Sequence, residues 1–147
     1  MNCRMNKRRN ARINAIQMLY QMEIKNDRPD NIILSHWKAL EKQIDEKSKV
    51  FAEELFIKTY ENKEKIDRYI KKYLKETWKI ERLGLIDISI LRTAISEYLF
   101  FDTPIYAVLD EYVSIASVYL DEKNTSFINA LLDKFSSDYK IIDDRKD

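Results

Sequence analysis

Residues 83–101 read LGLIDISILRTAISEYLFF, the longest run in the chain that is apolar on most sides. Ile88, Leu91, Ile95 and Tyr98 fall on one helical face. Ile90, Ala94 and Leu99 widen that face until little polar surface remains. A helix apolar nearly all round is buried, so other helices must pack about it. The run is too short for a membrane span, and Asp87, Arg92 and Glu97 interrupt it. Gly84 lies just before it, Asp87 or Ser89 suits its N-cap, and Pro104 follows its end.

The sequence on both sides reads as helical wrapping. Toward the C-terminus, Ile105, Val108, Leu109, Tyr112, Ala116 and Tyr119 mark a sixth helix. Residues 120–123 read as a loop, and Asn124 or Thr125 as the cap of a seventh helix carrying Phe127, Ile128, Leu131, Leu132 and Phe135. Residues 139–147 form a charged tail. Toward the N-terminus, residues 76–82 read as a polar connection anchored by Trp78 and Ile80. A fourth helix carries Ile66, Tyr69, Ile70, Tyr73 and Leu74, and a third carries Val50, Phe51, Leu55 and Phe56 and ends near Asn62. Residues 45–49 read as a charged break. Ile33, Trp37, Leu40 and Ile44 mark a second helix after a turn at Pro29. The first helix ends near Ile24, with Ala11, Ala15, Ile16, Met18, Leu19 and Met22 on its apolar side. No segment alternates with period two. With one Gly and two Pro in 147 residues, there is little material for hairpins. The expectation is an all-α protein of about seven helices around a buried central one, with subdomains at residues 1–62 and 63–137.

Composition narrows the chemistry. Hydrophobic residues are 45% and charged residues 35%, which suits a soluble globular chain. No signal-peptide core follows the N-terminal charges, and the single Cys3 permits no internal disulfide, so the expected location is the cytoplasm. One His and one Cys make no usual zinc site, and His36 reads as a surface or boundary side chain. The lone Gly84 excludes a phosphate loop or dinucleotide fingerprint. Carboxylates sit among lysines and arginines, as on solvated helix faces. No enzyme, cofactor or metal is expected.

What remains is charge and aromatic surface. From Arg4 to Arg12 there are five cations (Arg4, Lys7, Arg8, Arg9 and Arg12) and no acid. Net charge is +1, so any affinity for nucleic acid must come from such local charge. Cations at a helix start oppose the macrodipole, so helix stability does not explain them. A solubilising terminus is the bland alternative. Nine tyrosines offer stacking surfaces for unpaired bases. Tyr20 lies eleven residues from Arg9, near the same helical face, and Tyr73 lies on the fourth helix. Lys123, Asn124, Thr125 and Ser126 precede a helix start, where free N–H groups suit phosphate, although an ordinary cap explains them equally.

Three segments together resemble the NusB family of transcription antitermination factors. The first is Arg8-Arg9-Asn10-Ala11-Arg12 followed by Ala15-Ile16-Gln17-Met18-Leu19-Tyr20. The second is Asp87 through Ile90-Leu91-Arg92 to Glu97-Tyr98-Leu99. The third is Val108-Leu109-Asp110-Glu111-Tyr112, with Phe127-Ile128-Asn129-Ala130-Leu131-Leu132-Asp133-Lys134. The resemblance implies two packed helical bundles and no catalysis. It implies binding to boxA-type single-stranded RNA with the ribosomal protein NusE, alongside other Nus factors and RNA polymerase, suppressing termination notably in ribosomal RNA operons. It allows monomers or a homodimer. Carried over by position, Arg8, Arg9, Arg12, Tyr20 and Tyr73 would meet RNA. Lys123, Asn124, Thr125, Ser126 and Phe127 would form a second RNA patch, and Asp87, Tyr106 and Glu111 would face NusE. Lys123 stands where many members have Asp, Ser126 where Lys is usual before Phe, and Ala130 where Gly is usual. Two other readings fit the helical pattern: a protein-binding scaffold, and a stand-alone module assisting ribosomal RNA modification.

Overall fold

The structure, a computed structural model, describes residues 3–40, 44–75 and 79–140. They form seven α-helices: α1 (Cys3–Lys25), α2 (Pro29–Ala39), α3 (Glu46–Glu61), α4 (Lys63–Tyr73), α5 (Leu85–Phe100), α6 (Ile105–Tyr119) and α7 (Glu122–Lys140). A single 3₁₀ turn, Ile80–Arg82, precedes α5. No strand occurs among the described residues. No helix among them is long and apolar enough to cross a membrane.

The 83–101 stretch forms the central helix its pattern dictates. Every residue of α5 from Asp87 to Tyr98 is buried, and α5 packs against α1, α3, α4, α6 and α7. Two cores lie about it. One joins Ala11, Ala15, Met18 and Leu19 of α1 to Ile32 of α2 and to Phe51, Ala52, Leu55 and Phe56 of α3. The other gathers α5 with Ile66 and Ile70 of α4, Val108, Tyr112 and Ile115 of α6, and Leu131, Leu132 and Phe135 of α7. Ile16 carries α1 into this second core as well. The all-α arrangement of two packed helical groups about a buried helix is the one expected.

The ends of the helices differ from the sequence reading, each for a local reason. Helix α5 starts at Leu85 with Gly84 as its N-cap residue, so Asp87 and Ser89 are already helical and neither is the N-cap. Ser89 instead donates to the Leu85 carbonyl. The supposed break at residues 45–49 is the beginning of α3, because the Asp45 carboxylate accepts the Ser48 N–H at 2.8 Å. Of the expected loop at residues 120–123, residues 122 and 123 already belong to α7. Asp121, not Asn124 or Thr125, supplies the cap, accepting the Asn124 N–H at 2.8 Å. Helix α1 closes at Asn26, whose φ of 49° is the left-handed conformation Asn tolerates. Its N–H reaches the Met22 carbonyl at 2.9 Å.

Helix α2 ends at Ala39, so Leu40 is its C-cap and Ile44 lies beyond it. Its buried positions are Ile32 and His36, one residue off the expected stripe, while Ile33 and Trp37 are half-buried. His36 is therefore not a surface side chain. It is 4% exposed, with one ring nitrogen 2.8 Å from Asn14 Oδ1 and the other 2.9 Å from Gln21 Nε2. Burial holds its pKa below the ordinary imidazole value. Trp78 and residues 141–147 of the tail lie outside the described residues.

Candidate nucleic-acid interface

Helix α1 places its cations at graded depths. Lys7 and Arg8 are exposed. The Lys7 ammonium lies 3.2 Å from Asp45, and the Arg8 guanidinium lies 4.0 Å from the centroid of Phe51. That is cation–π distance, and it fixes a flat charged group at the surface. Arg9 is half-buried and donates to Glu111 through Nε at 3.0 Å and Nη2 at 2.8 Å. These partners answer the macrodipole objection, since each of these cations meets an acid or a ring.

Arg12, expected to meet RNA, is held differently from these cations. It is 6% exposed and grips Glu97 of α5 with two bonds of 2.7 and 2.8 Å. A second carboxylate, Glu111, lies 3.5 Å from its Nη1. Glu97 also accepts from Thr103 at 2.6 Å and from Tyr112 at 2.7 Å. Burial alone would push the Glu97 carboxyl up, but the Arg12 bonds and charge outweigh it and hold the group below the usual carboxylate range. Burial likewise opposes the Arg12 charge, and Glu97 more than restores it. Glu111, expected to face NusE, is buried and lies between Arg9 and Arg12.

Tyr20 and Arg9 do share one face of α1. Arg9 meets Glu111 on α6. Tyr20 lines an apolar recess of about 170 Å³ with Ile13 and Gln17 of α1, Ile86 and Ile90 of α5, and Ile115 and Tyr119 of α6. Tyr73 belongs to another neighbourhood. Its ring meets Phe135 edge-on at 6.2 Å, and its hydroxyl donates to Asp138 of α7. Burial first, and then the Asp138 charge, raise its pKa.

The second expected patch is a cleft of about 510 Å³ between the 3₁₀ turn, the start of α5 and the start of α7. Lys123, Asn124 and Phe127 line it, and so do Lys79, Arg82 and Asp87. Lys123 and Ser126 are exposed; Thr125 is half-buried and bonds back to the Ala116 carbonyl at 3.3 Å. The cations Lys79 and Arg82 escaped sequence reasoning because they lie more than forty residues before Lys123 and only folding joins them. Phe51 and Glu97 were missed too. An acid inside an apolar run is the signal for Glu97, since such a charge needs a buried partner. Of the three residues assigned to a protein partner, Tyr106 is the exposed one, at 66%.

Known proteins share this architecture and sequence. The sequence model described as the NusB family matches residues 9–137. The transcription antitermination protein NusB of Bacillus licheniformis is 38% identical over 133 residues, covering 90% of this chain and 98% of that protein. The NusB of Natranaerobius thermophilus is 36% identical over 135 residues, 88% of this chain and 94% of that one. Among solved structures, T. maritima NusB has a TM-score of 0.77 at 33% identity, covering 88% of this chain and 90% of that one. A chain from the crystal structure of antitermination factors NusB and NusE in complex with dsRNA has a TM-score of 0.80 at 25% identity, with coverages of 94% and 100%.

Proposed function

The chain belongs to the NusB family, and on that premise we propose that it is a non-enzymatic RNA-binding antitermination factor of the cytoplasm. It binds boxA-type single-stranded RNA together with NusE. With other Nus factors and RNA polymerase, the complex carries transcription through terminators, notably in ribosomal RNA operons. The observation that carries the reading is the exposed Arg8 guanidinium held over Phe51 beside Lys7, at the head of α1. A preorganised planar cation suits a phosphate or a base face. Arg9 and Tyr20 lie on the neighbouring face of α1, toward α6, and the Lys79–Arg82–Lys123 cleft supplies a second set of cations. Tyr73 lies apart from both, on the α4–α7 side, and serves the RNA only if the strand extends there. Tyr106 is the natural point of contact for NusE. Two separated cationic patches on one strand bind more tightly than either alone, and a partner that orders the strand adds to this.

Fluorescence anisotropy tests the reading with a short boxA-like RNA and a scrambled control, across salt, with and without NusE. The expected result is sequence-preferring, salt-sensitive binding that tightens with NusE and weakens in Lys7→Ala and Arg8→Ala. Arg12→Ala is a poor probe, because its buried pair confounds binding with folding. Equal or absent binding to both RNAs, unmoved by NusE, would favour the protein-scaffold reading.

A further inference from the structure

The cleft at the start of α7 contains a carboxylate that the phosphate-binding role does not use. Asp87 is 8% exposed, yet it lines the cleft beside Lys79, Arg82, Lys123 and Phe127. Burial raises its pKa above the ordinary aspartate value; its own backbone N–H opposes this and the like charge of Asp121 adds to it. No cation among the described residues forms an ion pair with it. A carboxylate that lines a cleft without an ion-pair partner has acceptor capacity left for a ligand that supplies donors. The only glycine of the chain stands against it. A Cβ at Gly84 would lie 3.1 Å from Asp87 Oδ1, so the missing side chain leaves the carboxylate its room.

We propose that this cleft is a guanine-selective nucleotide slot, in which Asp87 reads the base, Phe127 forms its wall, and Lys79, Arg82 and Lys123 hold the flanking phosphates. An ionised carboxylate only accepts hydrogen bonds. Among the four RNA bases, guanine alone presents two adjacent donors, N1–H and N2–H, on its Watson–Crick edge. Cytosine and adenine set one amino donor beside a ring-nitrogen acceptor, and the N3–H of uracil lies between two carbonyls. Each would oppose a lone pair to one oxygen of Asp87. Unpaired bases are read on this edge, with the ring against an aromatic or apolar wall. A cleft of about 510 Å³ is within the usual range of small-ligand sites, about 300–1,000 Å³, so it takes a whole nucleotide. This places Asp87 against RNA rather than against a protein partner, and it rests on the RNA-binding reading above.

The test uses the full chain and an unstructured single-stranded RNA containing one guanine. A second RNA carries inosine there, which keeps N1–H and lacks the N2 amine. A third carries adenine. The expected result is about ten-fold weaker binding of the inosine RNA to the native protein, with adenine weaker still. Asp87→Asn should bind all three within about two-fold of one another, with an unchanged salt slope. Phe127→Leu should weaken all three alike. Native protein that binds RNA but ignores the inosine exchange overturns the slot and leaves the RNA-binding reading standing. Native protein that binds none of the RNAs overturns both. A variant Asp87→Asn that loses affinity for NusE while keeping the guanine preference returns the residue to the protein interface. The base exchange is read on native protein, so the test does not depend on the variant's folding.

Discussion

Arg12 and Glu97 form a two-pronged ion pair at 2.7 and 2.8 Å between α1 and α5, where both side chains are buried. Truncating one member leaves the other charged and buried, a loss of about 3–5 kcal/mol. Arg12→Ala and Glu97→Ala should each lower the unfolding free energy obtained from urea titration by an amount in that range, while the double variant costs much less than their sum. Additive losses in a double-mutant cycle would show that the pair is not a coupled unit.

Two acid-sensitive steps should follow from the buried groups. His36 is held below its ordinary pKa by burial, so its contribution is complete above the unfolded value of about 6.5 and declines as pH falls below it. Glu97 is depressed against burial by Arg12, Thr103 and Tyr112. Its contribution is complete above the unfolded value of about 4.3 and is lost as pH falls through the lower folded value. Urea unfolding from pH 7.5 to 3 should show both declines. His36→Gln should flatten the first and Glu97→Gln the second; an unaltered profile in either variant would refute that assignment.

The contrast between α5 and α1 shows what the sequence reveals. The apolar pattern of residues 87–98 identifies the buried helix without ambiguity, because a helix with no polar side has one place to go. The arginine run is legible as charge, but not as depth. Arg8 and Arg12 are one helical turn apart in sequence, yet one rides on Phe51 at the surface and the other sits against Glu97 in the interior. Which is which depends on α3 and α5, far along the chain. The same holds for His36, whose partners Asn14 and Gln21 belong to α1. Helix ends were misread wherever a single side chain decides them, as Asp45 and Asp121 do.

Asp87 presents the opposite case to Glu97. Burial, and then the charge of Asp121, raise its pKa, so its charged form is disfavoured in the folded chain. Stability therefore falls as pH rises from the unfolded value of about 3.9 through the raised folded value. Asp87→Asn should stabilise the protein at neutral pH, because the amide removes the charged form that burial disfavours. Thermal unfolding of the two proteins at pH 7 and pH 4 checks this. The gain should shrink at pH 4, and a loss at pH 7 would mean that the carboxylate is structurally required.

Arg8 and Lys123 belong to different patches, one over Phe51 and the other at the α7 cleft. If one strand bridges both, each cation releases its own counterions, and the slope of log affinity against log salt counts them. For single strands each phosphate contact contributes about 0.7 to that slope. Arg8→Ala should therefore reduce it by about 0.7, and Lys123→Ala by the same amount. The double variant should lose about 1.4, because separated sites add. Lys123→Asp should go further than Lys123→Ala, since it turns attraction into repulsion at the same point. Arg12→Lys, by contrast, should leave the slope unchanged in any protein that still folds, because its charge faces Glu97 and not the strand. Titrations at four salt concentrations distinguish these outcomes. A slope that ignores Lys123 would confine the RNA to α1, and one that follows Arg12 would mean that the buried pair opens when RNA binds.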